Sequence, residues 1–167
     1  MDDRQRALER FRQLSSVEPH ELQGLWRGRG IPTGHPLDGV LENLGWYGKR
    51  FRSDLRADAL LFRAGDRRLR AIDPKWLPLN LVLRFHALGR TGFARSLFSW
   101  SQGALRATGP VAALHTLSFE GVASAAMIYD RQPIIDYFRK LDDDTMMGLM
   151  VIENDDRLFA FELERVT

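Results

Sequence analysis

The chain of 167 residues has no cysteine. Disulfides, thiolate metal sites and cysteine nucleophiles are therefore excluded. Lysine is nearly missing as well: Lys49, Lys75 and Lys140 are the only ones among 24 Lys+Arg. No charge of one sign dominates, because 22 Asp+Glu bring the formal net charge to +2. The arginines are dispersed among acids, and the run Arg63, Arg67, Arg68, Arg70 alternates with apolar residues as on the outer face of a hairpin. With no nucleic-acid reading motif, a nucleic-acid partner is not expected. No apolar run approaches the length of a membrane span. The opening "MDDRQRALERFRQL" is charged throughout and lacks an apolar leader core, so a cytoplasmic protein is expected. Internal repeats and low-complexity tracts are absent too.

What remains is an ordinary globular balance, 44% hydrophobic and 28% charged, on a length that suits one domain over residues 1–167. Ala7, Leu8, Phe11 and Leu14 share one face of a helix over 3–14, and Ser15 with Glu18 forms a capping-box pattern for a short helical turn through Leu22. "GLWRGRGI" reads as a first strand, and Leu37, Val40, Leu41 and Leu44 predict a short helix that Gly45 ends. Two short runs around Gly65-Asp66 predict a hairpin. Residues 76–105 fit both a strand and a helical stripe; Pro78 tips the reading towards one or two helices covering an opening. From Ala112 onwards, strand pairs meet at Glu120-Gly121 and at "NDDR", with "PIIDYFRKLDDD" between them as a short helix or an edge strand. The expected fold is mainly β with helices: seven to nine short antiparallel strands that close into a barrel, since closure removes exposed edges.

Gly24-Leu25-Trp26-Arg27-Gly28 matches the pattern Gly-x-Trp-x-Gly, and "PTGHPLDG" and "LGWYGKRF" follow it. On these blocks residues 24–75 resemble the GXWXG family. Residues 110–167, through "EGVASAAMIYDRQPIIDYFRKLDDDTMMGLM" and "FAFELER", resemble the domain of unknown function usually joined to it. The departures are an "ERVT" ending and the "VIENDD" loop. A looser resemblance is to the calycins: lipocalins, fatty-acid-binding proteins and the haem-binding nitrobindins. It rests on a Gly-x-Trp strand preceded by a short helix and an arginine near the end of the last strand. That resemblance implies a calycin-like barrel in which Arg165 lies across the indole of Trp26, closing the first strand on the last. The guanidinium plane suits an indole face, and its fork suits free helix carbonyls.

Candidate chemistry is sparse. His35, in a loop between strand and helix, could hold a ligand head group or act as a base, with Asp38 or Asp144 as its acid; capping the helix is the plainer role. His86 and His115 raise a haem reading by analogy with nitrobindins, though alternation leaves His115 inside or outside. Asp142, Asp143 and Asp144 follow no metal-loop spacing and read as a turn. Met127, Met146, Met150 and Phe161 supply a soft apolar lining, and Trp46, Tyr47, Lys49 and Arg50 an aromatic wall with a cationic anchor. The expected function is binding of a small, largely apolar ligand, fatty-acyl or isoprenoid-like, inside the barrel. The alternatives are a lyase, isomerase or hydrolase using a His–Asp pair, or haem binding. Residues 76–100, from Trp76 to Trp100, suggest transient contact with a membrane surface.

Overall fold

Period-two alternation recurs along the chain, and the computed structural model, which describes residues 1–167, pairs nine strands into one antiparallel sheet. The strands are β1 (Gly24–Ile31), β2 (Trp46–Phe51), β3 (Arg56–Arg63), β4 (Leu69–Ala71), β5 (Ala112–Phe119), β6 (Val122–Tyr129), β7 (Ile134–Lys140), β8 (Thr145–Ile152) and β9 (Leu158–Arg165). Their order is β2-β1-β9-β8-β7-β6-β5-β3-β4, and β2 also pairs with β3. Eight strands therefore close in a ring, with β4 attached to the far half of β3. The narrowest seam is β3–β5, which pairs only at Arg56↔Ala113 and Ala57↔Ala112. Four α-helices accompany the sheet: α1 (Asp3–Gln13), α2 (Val40–Asn43), α3 (Leu79–Arg84) and α4 (Gly92–Ser101). No helix is long and apolar enough to cross a membrane.

Side-chain alternation divides the ring into a filled inside and a charged outside. Inside, Trp26, Trp46, Phe51, Phe138, Phe159, Phe161, Met127 and Met146 belong to one buried cluster. Outside, Arg27 stands opposite Glu164 and Arg29 opposite Glu162, each as an ion pair across β1 and β9. Helix α1 covers part of the outer face, where Ala7 and Phe11 meet Met147, Leu149 and Ala160. Both faces of β8 are buried there, which is why "MMGLMVI" is apolar almost without interruption.

Gly28 on β1 and Gly48 on β2 have separate physical jobs. The ring of Trp46 lies over Gly28, and a Cβ at that position would sit 2.3 Å from the indole. At Gly48, φ is 156° and a Cβ would sit 1.9 Å from the Trp26 carbonyl oxygen. Gly48 marks an irregularity in the β2–β3 register. That bulge flips the parity of β2, so Lys49 and Phe51 turn into the ring although Trp46 also does.

One end of the ring is plugged by the 3-10 turn Pro19–Leu22. The Trp26 indole N–H donates to the Leu22 carbonyl at 2.7 Å. The Arg165 guanidinium sits 4.2 Å above the same indole. Its two terminal nitrogens donate to the carbonyls of Gln23 (2.8 Å) and Glu21 (2.9 Å), and its Nε donates to Asp144 at 3.2 Å. Trp26 and Arg165 are also register partners, so the clamp falls where the first strand meets the last.

Two local expectations change and a third holds. The segment Ile134–Lys140 is neither helix nor edge but a central strand, paired with β6 and β8 on its two sides. Ser15 does not cap: its backbone bridges Lys140, and Glu21 accepts from the Glu18 amide at 2.8 Å instead. The ambiguous 76–105 stretch is helical, because after β4 the chain leaves the sheet and returns only at β5.

Replacing Arg165 with Ala removes the indole cover and the donors to two carbonyls at once. We expect a loss of about 2 kcal/mol, read as a lower urea midpoint with unchanged m. Arg165→Lys should recover less than half, because an ammonium cannot reproduce the fork; full recovery by Lys would mean charge alone acts here.

Candidate functional site

The end of the ring opposite the clamp is covered by side chains from α2, α3 and α4. Between them and the ring lies an apolar cavity of about 110 Å³, with thirteen of its fifteen lining residues hydrophobic. The ring contributes Leu60, Phe62, Tyr129, Ile134 and Met150; α2 and its flanks contribute Leu37, Val40, Leu41 and Leu44. Leu79 and Val82 of α3 and Phe98 of α4 form the roof. Within the cover, Asn43 Nδ2 donates to the carbonyls of Gly89 and Thr91, Arg95 donates to Asn43, and Arg90 donates to the carbonyls of Asp38 and Pro36, while Phe98 packs on Phe62 of the ring at 4.7 Å. Helix α3 itself has no buried residue.

Tyr129 connects this cavity to a buried charge cluster. Lys49 Nζ is 2.8 Å from Asp136 Oδ2, 3.0 Å from the Ala59 carbonyl and 3.3 Å from the Tyr129 hydroxyl. The Tyr129 hydroxyl also donates to Asp136 Oδ2 at 3.3 Å. The rings of Phe161, Tyr129 and Trp46 stand 5.1, 5.7 and 5.9 Å from the ammonium. All three ammonium protons are used, whereas Asp136 Oδ1 and Trp46 Nε1 are buried without a partner. Burial pushes the Asp136 carboxyl above its ordinary range, against the pull of the Lys49 ammonium. Burial likewise raises the Tyr129 phenol, helped by the Asp136 charge. The cluster ties β2, β3, β6 and β7 together through one cation.

His35 and Asp38 share a loop but do not form an acid–base pair. His35 Nδ1 accepts from the Leu37 amide, and Nε2 is buried with no partner. Asp38 Oδ2 accepts the amides of Thr33, Gly34 and His35 and so shapes the turn. Asp144 lies at the opposite end of β9, on Arg165, while Thr33 bonds the Leu158 carbonyl at the start of that strand. The loop is therefore a helix-entry turn, and the catalytic pairings of His35 with Asp38 or Asp144 are not assembled.

The other expected site residues are scattered. Met127, Met146 and Phe161 lie in the ring's core, and Trp46 and Lys49 are buried beside them. Tyr47 stacks under Arg63 at 5.4 Å, and Arg50 is exposed beside Asp58. None of these lines the apolar cavity. His86 bonds the Leu83 carbonyl and His115 is exposed on β5; neither reaches the cavity, which contains no histidine. Sequence reasoning missed Tyr129 and Asp136, whereas Met150, one of the methionines read as a soft cavity lining, does line the cavity. Asp136 had a readable signal: in "PIIDYF" it shares parity with Ile134 and Phe138, so a lone acid sits on the inward face of the strand.

A nine-stranded antiparallel sheet closed in a ring, mainly β, with a roofed apolar end and a clamped opposite end, is the class this geometry defines. The family described as GXWXG protein matches residues 9–66, and the Domain of unknown function (DUF4334) matches residues 110–165. The chain belongs to the GXWXG family with that C-terminal domain. Helices α3 and α4 fall between the two matches. The chain is similar to a crystal structure of a protein from Thermomonospora curvata, at 28% identity over 99% of this chain and 88% of that one, with a TM-score of 0.72. None of the curated proteins matches it.

Lys49→Met alone strands a buried carboxylate and should cost about 3–5 kcal/mol. The double change Lys49→Met with Asp136→Leu should restore most of that in urea unfolding; a single variant as stable as the parent contradicts the buried pair. A second expectation concerns pH. Burial pushes His35 down to about 4 from 6.5, against the pull of the Asp38 carboxylate. A folded pKa below the unfolded one means that the unfolded chain takes up the proton first. Stability is then full above pH 6.5, falls as pH drops towards about 4, and flattens below. The loss should reach about 3 kcal/mol at most, and His35→Asn should remove that component from the pH–stability profile.

Proposed function

We propose that this chain binds a small, largely apolar molecule, acyl- or isoprenoid-like, at the roofed mouth of a calycin-like barrel. One observation carries the reading: the cavity under α3 and α4 is lined almost wholly by hydrocarbon, with Tyr129 and Gln132 as its polar lining. A cavity of about 110 Å³ is smaller than the ~300 Å³ at which ordinary ligand pockets begin. A chain-like ligand therefore enters by lifting the roof. The α3 part of the roof suits that motion, since it buries no residue, whereas α4 is anchored by Phe98 on Phe62.

The outer side of the roof supports a source for such a ligand. Trp76, Phe93 and Trp100 are 56%, 78% and 84% exposed, and Leu81, Phe85, Leu88 and Leu97 are exposed around them. From Pro74 to Phe119 the chain carries no acid, while Lys75, Arg84, Arg90, Arg95 and Arg106 are basic. Aromatic and aliphatic side chains among cations of which only Lys75 meets an acid, Asp73 at 3.3 Å, favour an anionic bilayer surface, where acyl and isoprenoid molecules reside.

Mass spectrometry of organic extracts from the purified protein tests the reading. We expect an acyl or isoprenoid species in near-stoichiometric amount, lost in Val82→Trp, which fills the cavity from the roof without touching the sheet. The protein should sediment with phosphatidylglycerol vesicles, and Trp100→Ser with Phe93→Ser should weaken that several-fold. Extracts empty of apolar molecules, with no uptake of added fatty acid, would sink the proposal.

A further inference from the structure

Elsewhere on the ring several arginines stand beside acids, although Arg63, over Tyr47, and the buried Arg139, bonded to carbonyls, do not. Arg12 meets Glu120, Arg27 meets Glu164, Arg29 meets Glu162, Arg56 meets Asp130 and Arg157 meets Asp155. Arginines crowd together in a half-open cavity of about 450 Å³ bounded by β2, β3, β4 and the strand-like stretch entering β5. Five arginines line it, Arg50, Arg52, Arg68, Arg70 and Arg106, against one carboxylate, Asp58. Asp58 is nearly fully buried and already bonded by Arg52 at 2.8 Å, with Arg50 at 3.5 Å. Arg68, Arg70 and Arg106 form no ion pair and no side-chain hydrogen bond with the protein. The same wall carries the Thr108 hydroxyl and the backbone of Thr108 and Gly109, whose amides have no partner in the protein.

We infer that this cavity is a binding site for a phosphate-bearing anion. The physical ground is the surplus: five cations around one carboxylate leave a net of four positive charges in one concavity. Such a set repels itself, and an anion that enters relieves the repulsion while collecting bonds from guanidinium forks. Guanidinium geometry matches phosphate oxygens two at a time, which favours a phosphoryl group, or two joined ones, over a single carboxylate. The residues come from three places far apart in sequence, so the cluster is made by the fold. Pairing of Leu61↔Ala71, Phe62↔Arg70 and Arg63↔Leu69 puts β4 beside β3, and the bridge Ile72↔Arg106 brings the returning chain alongside. The site shares no lining residue with the apolar cavity and stands independently of the ligand proposed there.

Isothermal titration of the full chain with inorganic pyrophosphate at low salt tests the inference. We expect saturable one-to-one binding, a raised melting temperature, and an affinity that falls steeply with added salt. Arg68→Ala and Arg106→Ala should each weaken binding about tenfold or more, and Arg106→Lys should weaken it less than Arg106→Ala. Arg27→Ala, on the paired outer face, is the control and should bind as the parent does. Parallel titrations with ADP and with short-chain phosphatidic acid decide whether the phosphate arrives on a soluble nucleotide or a lipid headgroup. No heat and no thermal shift at millimolar pyrophosphate would overturn the site. Equal weakening by Arg27→Ala would overturn it too, since it would show only diffuse attraction to a basic surface.

Discussion

Closure of the sheet is the constraint on which the rest depends, and β1 is the strand that achieves it. It takes β2 on one edge and β9 on the other, so the beginning and end of the chain share one hydrogen-bonded seam. At the foot of that seam the Trp26 indole and the Arg165 guanidinium lie face to face, and each bonds a carbonyl of the 3-10 turn or its cap. The contact does two things at once. It satisfies carbonyls that a short helix leaves open, and it seals the ring with a turn that would otherwise float. An arginine is required because only a planar cation can cover an aromatic face and fork to two acceptors.

A ring of eight strands encloses little space, and this one fills most of it with aromatic and methionine side chains. That leaves room only at the mouth, where helices rather than strands supply the wall. It also explains the buried cation. Lys49 is carried inward by the bulge at Gly48, and once inside it needs three acceptors, which Asp136, Tyr129 and the Ala59 carbonyl provide. The cluster orders the interior beneath the cavity, and Tyr129 is the point at which the two meet.

The surface carries two departures from neutral pairing, and they differ in kind. The roof over the mouth sets exposed aromatics among cations of which only Lys75 meets an acid, whereas the β3–β4 side gathers guanidiniums around a concavity. The first suits a broad, soft, negatively charged surface; the second suits a compact anion. Both lie wholly or partly in the stretch between the two family matches, from which α3, α4 and Arg106 come.

Most strands were legible from the sequence because each is a local matter of alternation and turn residues: Glu120-Gly121 and Gly65 set hairpins that the chain does form. The helix α1 and the meeting of Trp26 with Arg165 were legible too, the second through resemblance rather than periodicity. Ile134–Lys140 misled because pairing along a strand's two edges leaves no mark on the alternation of its faces, and its inward face carries a charged residue, Asp136. Local pattern could not place Lys49, since one bulge reverses which face a side chain takes, nor pair His35 with an acid, since a loop's hydrogen bonds depend on its own turn. The sequence by itself determined the composition of the walls: no thiols, hydrocarbon inward, arginine outward. Only the tertiary structure decided which arginines meet acids and which crowd one another, because that depends on distances between strands remote in the chain, and closure of the ring sets those distances.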